Sequence, residues 1–116
     1  MRNVFLDMDY PLSGSIEAVV DTGYSGFLAI PPEIFEGLSL DELKTQSRAV
    51  EVADGRRVRS KIGYGTVELV GTSRAVDGPL ETFEGLREVL AGARLLSEFR
   101  VTLDYCLGVV SLDRCG

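Results

Sequence analysis

The stretch VVDTGYSGFLAIP, residues 19–31, sets a single acid, Asp21, between apolar runs and follows it at once with Thr22 and Gly23. A carboxylate at the end of an apolar strand can serve as general base when ionised or general acid when protonated, provided a neighbour sets its proton occupancy. The plainer alternative is a turn aspartate whose oxygens accept backbone N–H groups, a role Asp-Thr-Gly suits well. The sequence holds no second Asp-Thr-Gly or Asp-Ser-Gly, so the chain does not supply a partner acid by repeating the motif. It also holds no histidine, which removes His-based triads and most transition-metal sites. The two cysteines, Cys106 and Cys115, are too few for a zinc site or a disulfide framework and read as free thiols of a reducing cytosol.

The elements around this motif are mostly strands. Residues 3–9 alternate, with Val4, Leu6 and Met8 to one side. A turn follows over 10–14, then a β-branched strand over 15–20 that runs into Asp21. After the turn, residues 27–30 form a short strand ended by Pro31-Pro32, because proline cannot donate to a ladder. Proline suits the first turn of a helix, so PPEIFEGL starts a short one, and Ser39 caps a further turn through Leu43 and Lys44. Asp54-Gly55 between two alternating runs is a hairpin signal, and Gly63-Tyr64-Gly65 marks a bend or bulge in its second arm. Asp77-Gly78-Pro79 reads as a turn. Leu80, Phe83, Leu86, Leu90 and Ala93 fall at helical spacing, so periodicity alone predicts a helix over 80–94, weakened by Gly85 and Gly92. The C-terminal region reads as a hairpin, with strands 100–105 and 109–112 and a turn near Leu107-Gly108.

Composition bounds the function. The 116 residues fit one domain, residues 1–116, with 45% hydrophobic and 26% charged residues. A formal charge of −6 argues against nucleic acid, whose binding rests on basic clusters. No apolar run approaches the roughly 20 residues of a membrane span, and the first residues carry acids where a signal peptide needs an apolar core. The expectation is a cytoplasmic protein with no membrane partner.

With these residues in place, the chain resembles the retropepsin-like aspartic proteases over nearly its full length. In particular it resembles the small single-domain bacterial and archaeal predicted aspartic proteases with Asp-Thr-Gly followed by an aromatic residue. Val19-Val20-Asp21-Thr22-Gly23 is similar to the family's active-site motif, the hairpin tipped by ADGR stands where the family has its flap, and Leu90-Ala91-Gly92 takes its apolar-apolar-glycine place before a helix over 93–99. The resemblance implies a mainly β, single-lobe acid-protease barrel with one short C-terminal helix, acting as a homodimer. It implies an aspartic-type endopeptidase that needs no metal or other cofactor and takes a peptide or protein substrate. Asp21, Thr22 and Gly23 would be catalytic. Two carboxylates about 3 Å apart at an effective dielectric near 20 repel by roughly 5 kcal/mol, so such a dyad holds one shared proton near neutrality. With one motif per chain, the dyad would be Asp21 from each of two subunits. Tyr24 stands where Ser or Ala is commoner; its ring would line a substrate subsite or fill space under the strand, and Ser25 would offer a hydroxyl. Ala53, Asp54, Gly55 and Arg56 would bind an extended peptide through flap backbone groups. The alternative is a catalytically inactive, dimeric peptide-binding or scaffold module on the same fold.

Overall fold

The computed structural model describes residues 1–3, 8–9, 15–42, 46–52, 54–72 and 74–115. In chain order these form β1 (Arg2–Asn3), β2 (Met8–Asp9), β3 (Val19–Val20), β4 (Leu28–Ala29), α1 (Pro32–Gly37), a 3-10 turn (Leu40–Glu42) and β5 (Ala49–Glu51). There follow β6 (Arg57–Leu69), β7 (Arg74–Phe83), β8 (Leu90–Ala91), α2 (Ala93–Leu96), β9 (Phe99–Asp104) and β10 (Val109–Arg114). The spine is the β6–β7 hairpin, antiparallel in unbroken register from Ser60↔Phe83 to Leu69↔Arg74. The other strands extend it in the order β2-β1-β6-β7-β4-β8-β3, with β5 also pairing β6. β4 runs parallel to β7 and β3 parallel to β8, so the chain threads β4 between two strands that come much later in sequence.

The sheet curls through 193° and stops with its edges 17 Å apart, and β9–β10 forms a separate two-stranded sheet. This overturns the closed acid-protease barrel that the resemblance implies: the protein is an open half-barrel. The described parts of its edge strands, β2 and β3, are two residues each. The described residues hold two short α-helices rather than one: the C-terminal helix expected over 93–99 forms over Ala93–Leu96, and another precedes it. The first is the one read from PPEIFEGL: Pro32 occupies its first turn, and Ile34 and Phe35 bury its inner face. Ser39 adopts φ 55° as the chain enters the 3-10 turn, and residues 43–45 lie outside the described set.

The core gathers Ile30, Phe35, Leu38, Leu40, Leu80 and Leu95, all at most 2% exposed. Each such side chain contributes roughly 1.5–3 kcal/mol by leaving water. Three further expectations fail against this packing. The helix over 80–94 does not form: Leu80 and Phe83 belong to β7, and Gly85 takes φ 90°, outside right-handed helix. The glycines at 63 and 78 mark neither bulge nor turn. A Cβ on Gly63 would press on Leu40, and one on Gly78 would strike the Phe27 ring, so each glycine makes room for a bulky neighbour packed on its strand. Of the strand expected over 3–9, the described ends belong to two strands, for Arg2 pairs Asp9 and Asn3 pairs Met8 antiparallel, and residues 4–7, with Val4 and Leu6, lie outside the described set. The C-terminal hairpin forms within a residue or two of its expected limits. Cys106 and Cys115 are free and exposed. Among the described residues no helix is long and apolar enough to cross a membrane.

Candidate active site

β3 delivers Asp21 to the surface. Val19 N–H donates to Val89 O (2.8 Å) and Asp21 N–H to Ala91 O (3.0 Å), so β8 holds the strand up to the acid itself. Beyond it the chain turns tightly. Asp21 Oδ1 accepts the Gly23 N–H at 3.0 Å, and Asp21 O accepts the Tyr24 N–H at 3.1 Å. Asp21 is half-buried, whereas Thr22, Gly23 and Ser25 are exposed. Asp21 Oδ2 and the hydroxyls of Thr22 and Ser25 have no hydrogen bond among the described residues. Asp21, Thr22, Gly23, Tyr24 and Ser25 thus share one turn.

The start of α2 clamps that turn from behind. Ala93 N–H donates to Tyr24 O (2.8 Å), Arg94 N–H to Gly26 O (3.1 Å) and Gly92 N–H to Phe27 O (3.0 Å). Only glycine fits at 92, because a Cβ there would collide with the Gly26 carbonyl oxygen and with Tyr24 Cδ2. Val20, just before Asp21, lines a cleft of about 1020 Å³ with Leu28, Val67 and Ala91 as well as the polar Thr66 and Glu68.

Tyr24 turns inward. Its hydroxyl donates to Glu81 Oε1 at 2.6 Å, and Arg48 grips the same carboxylate with Nε to Oε2 (2.6 Å) and Nη2 to Oε1 (2.7 Å). The Glu81 side chain is 3% exposed and that of Arg48 43%. Burial pushes Glu81 up, but hydrogen bonds from Arg48 and then Tyr24 outweigh it and hold the carboxyl below its ordinary value. Ser60 leans the same way from close by, although its buried hydroxyl makes no well-formed hydrogen bond among the described residues. Burial, and next the bond to Glu81, raise Tyr24 above the usual tyrosine range. Arg48 is raised by its hydrogen bond to Glu81.

Reading the sequence missed both Glu81 and Arg48. Glu81 sits between Leu80 and Phe83, whose helical spacing drew attention elsewhere, and it meets its partners only through long-range pairing.

The hairpin tip stands apart. Val52 N–H donates to Arg56 O and Gly55 N–H to Val52 O, both at 2.9 Å, while Asp54 accepts the Arg56 N–H (3.0 Å) and Nε (2.6 Å). The backbone N–H of Arg56, then its guanidinium, hold Asp54 below the ordinary carboxylate range. These polar contacts close within the hairpin and none reaches the Asp21 turn. Ala53 lies outside the described residues. Among the described residues no three of His, Cys, Asp and Glu converge so as to hold a metal ion.

Fold and site together define an open half-barrel β domain that presents an Asp-Thr-Gly turn clamped by a glycine-led helix start. The chain is 36% identical over 115 residues to an uncharacterized protein of Archaeoglobus fulgidus, covering 99% of this chain and 90% of that protein, and it belongs to that protein's family. No family model and no solved structure matches it.

Proposed function

We propose that the protein is an aspartic-type endopeptidase acting as a homodimer, with Asp21 of each subunit forming the dyad across a two-fold axis. The observation that carries this reading is the Asp21 turn itself. A rigid backbone holds the acid in place, while Oδ2 and the exposed Thr22 hydroxyl have no partner within the described chain. An acid that needs a second carboxylate, half-exposed and next to Val20 on the wall of a cleft, suits completion by another copy. In the dimer one Asp21 is ionised and takes a proton from water as its oxygen attacks the scissile carbonyl. The other is protonated and gives its proton to the carbonyl oxygen. The tetrahedral gem-diol then collapses: one hydroxyl returns its proton to the ionised carboxylate, the C–N bond breaks, and the amine leaves with the proton held by the other carboxyl. Asp54, Gly55 and Arg56 would close over an extended peptide by backbone hydrogen bonds.

The test is cleavage of a peptide library from about pH 3 to about pH 8 by wild type and by Asp21→Asn. Cleavage by wild type that the variant abolishes is expected; equal cleavage by both would sink the proposal. The bond from Gly23 N–H to Asp21 Oδ1 favours a second reading, a dimeric peptide-binding module, because an ordinary turn aspartate makes the same bond. Calorimetry separates the two. A hydroxyl-type transition-state mimic binding once per dimer supports the enzyme, and capture of plain peptide without turnover supports the module.

A further inference from the structure

Glu81 lies in β7 between Ile62 of β6 and Ala29 of β4, in the middle of the sheet. A carboxylate at such a position is tolerated only if donors replace the water it has lost. Three do so, and they come from two different places. Tyr24 belongs to the Asp21 turn, with its own N–H on Asp21 O and its own carbonyl held by Ala93. Arg48 belongs to the root of the β5–β6 hairpin. Its carbonyl accepts the Ser60 N–H at 2.8 Å, two residues after Gln46 bridges Ile62. The Glu81 backbone is fixed as well, its carbonyl accepting the Ile30 N–H at 2.8 Å. An apolar filler would occupy the same space without tying one segment to the other. A bidentate guanidinium plus a phenol on a single carboxylate does tie them, because neither donor can shift without unseating the other.

We propose that Glu81 is a positioning residue that couples the root of the β5–β6 hairpin to the Asp21 turn, through Arg48 on one side and Tyr24 on the other. For catalysis this rests on the reading of Asp21 as the catalytic acid; the mechanical coupling does not. When the hairpin shifts over a bound peptide, Arg48 carries the displacement to Glu81, and Tyr24 carries it to the backbone of the acid. The hairpin and the carboxylate then set as one unit rather than two.

The experiment uses the full chain and two conservative variants, Arg48→Lys and Tyr24→Phe. Lysine keeps the charge but cannot make the two-point grip. Hydrogen–deuterium exchange is followed over residues 21–26, 46–62 and, as a reference, 99–114. In Arg48→Lys, exchange at 21–26 is expected to speed up about tenfold along with that at 46–62, with 99–114 unchanged; Tyr24→Phe is expected to speed up 46–62 in return. Acceleration confined to the mutated segment, or equal acceleration in all three, overturns the proposal. With a cleaved peptide, Tyr24→Phe is expected to lower kcat about tenfold at nearly constant KM, and a rise in KM alone argues against positioning. If wild type has no Asp21-dependent cleavage, the protease reading fails while the exchange data still decide the coupling.

Discussion

Replacing Gly92 with alanine tests the clamp that holds the acid. The added methyl would run into the Gly26 carbonyl oxygen and meet Tyr24 Cδ2 at 2.6 Å. A backbone carbonyl cannot swing aside as a flexible side chain can, so it must retreat by about an ångström to reach ordinary contact. That retreat strains the bonds from Arg94 N–H to Gly26 O and from Ala93 N–H to Tyr24 O, worth about 1 kcal/mol each. Overpacking adds about 1–3 kcal/mol. The expected loss is therefore about 3–5 kcal/mol, a large share of the roughly 5–15 kcal/mol that holds a domain folded. Urea unfolding followed by circular dichroism reads this as a midpoint lowered by about 2 M at unchanged slope. Gly108→Ala is the comparison. Gly108 has φ 66° and open space at its Cβ position, so alanine there meets only backbone strain of about 1–2 kcal/mol. A Gly92 variant no less stable than the Gly108 variant would refute the clamp.

Two further outcomes follow from the Tyr24–Glu81–Arg48 cluster. In alkaline titration, the absorbance difference near 295 nm between wild type and Tyr24→Phe isolates the Tyr24 phenolate, which is expected only above the ordinary tyrosine value near 10; a difference band centred there would contradict the buried bond to Glu81. The folded-state pKa of Glu81 is lowered, so its stabilisation is complete above the ordinary carboxyl range and fades as pH falls through the lowered value. Urea midpoints of wild type and Glu81→Gln should therefore lie further apart near pH 7 than near pH 3, and a gap that widens on acidification would overturn that sign.

Local chemistry made some of this fold legible in the sequence and hid the rest. The hairpin at Asp54-Gly55, the helix started by Pro32 and the turn at Asp21 are set by residues within a few positions of one another, so their backbone preferences show directly. The segment 80–94 misled because Leu80 and Phe83, on a strand, happen to continue the helical spacing of Leu86 and Leu90. Pairing of β7 with β6 and β4 overrides that spacing, and only Gly85 hints at the break. Glu81 was invisible for a related reason. Its partners lie 57 residues away at Tyr24 and 33 away at Arg48, and one acid among several in its segment gives no sign of who will neutralise it. Whether the sheet closes depends on how its outermost strands meet, which the resemblance of motifs does not encode.

The parallel pairing of β3 with β8 has a kinetic consequence. Val19 meets Leu90 across a greater sequence separation than any other strand pair among the described residues, whereas β6 and β7 meet through a short connection. The entropy of closing that large loop falls on the contact that seats Asp21. A chain emerging from synthesis completes its central hairpin at Phe83, before residues 90–94 exist to secure the acid. Nascent or partly folded copies therefore lack a finished site, and whatever Asp21 does is reserved for chains that have completed their fold.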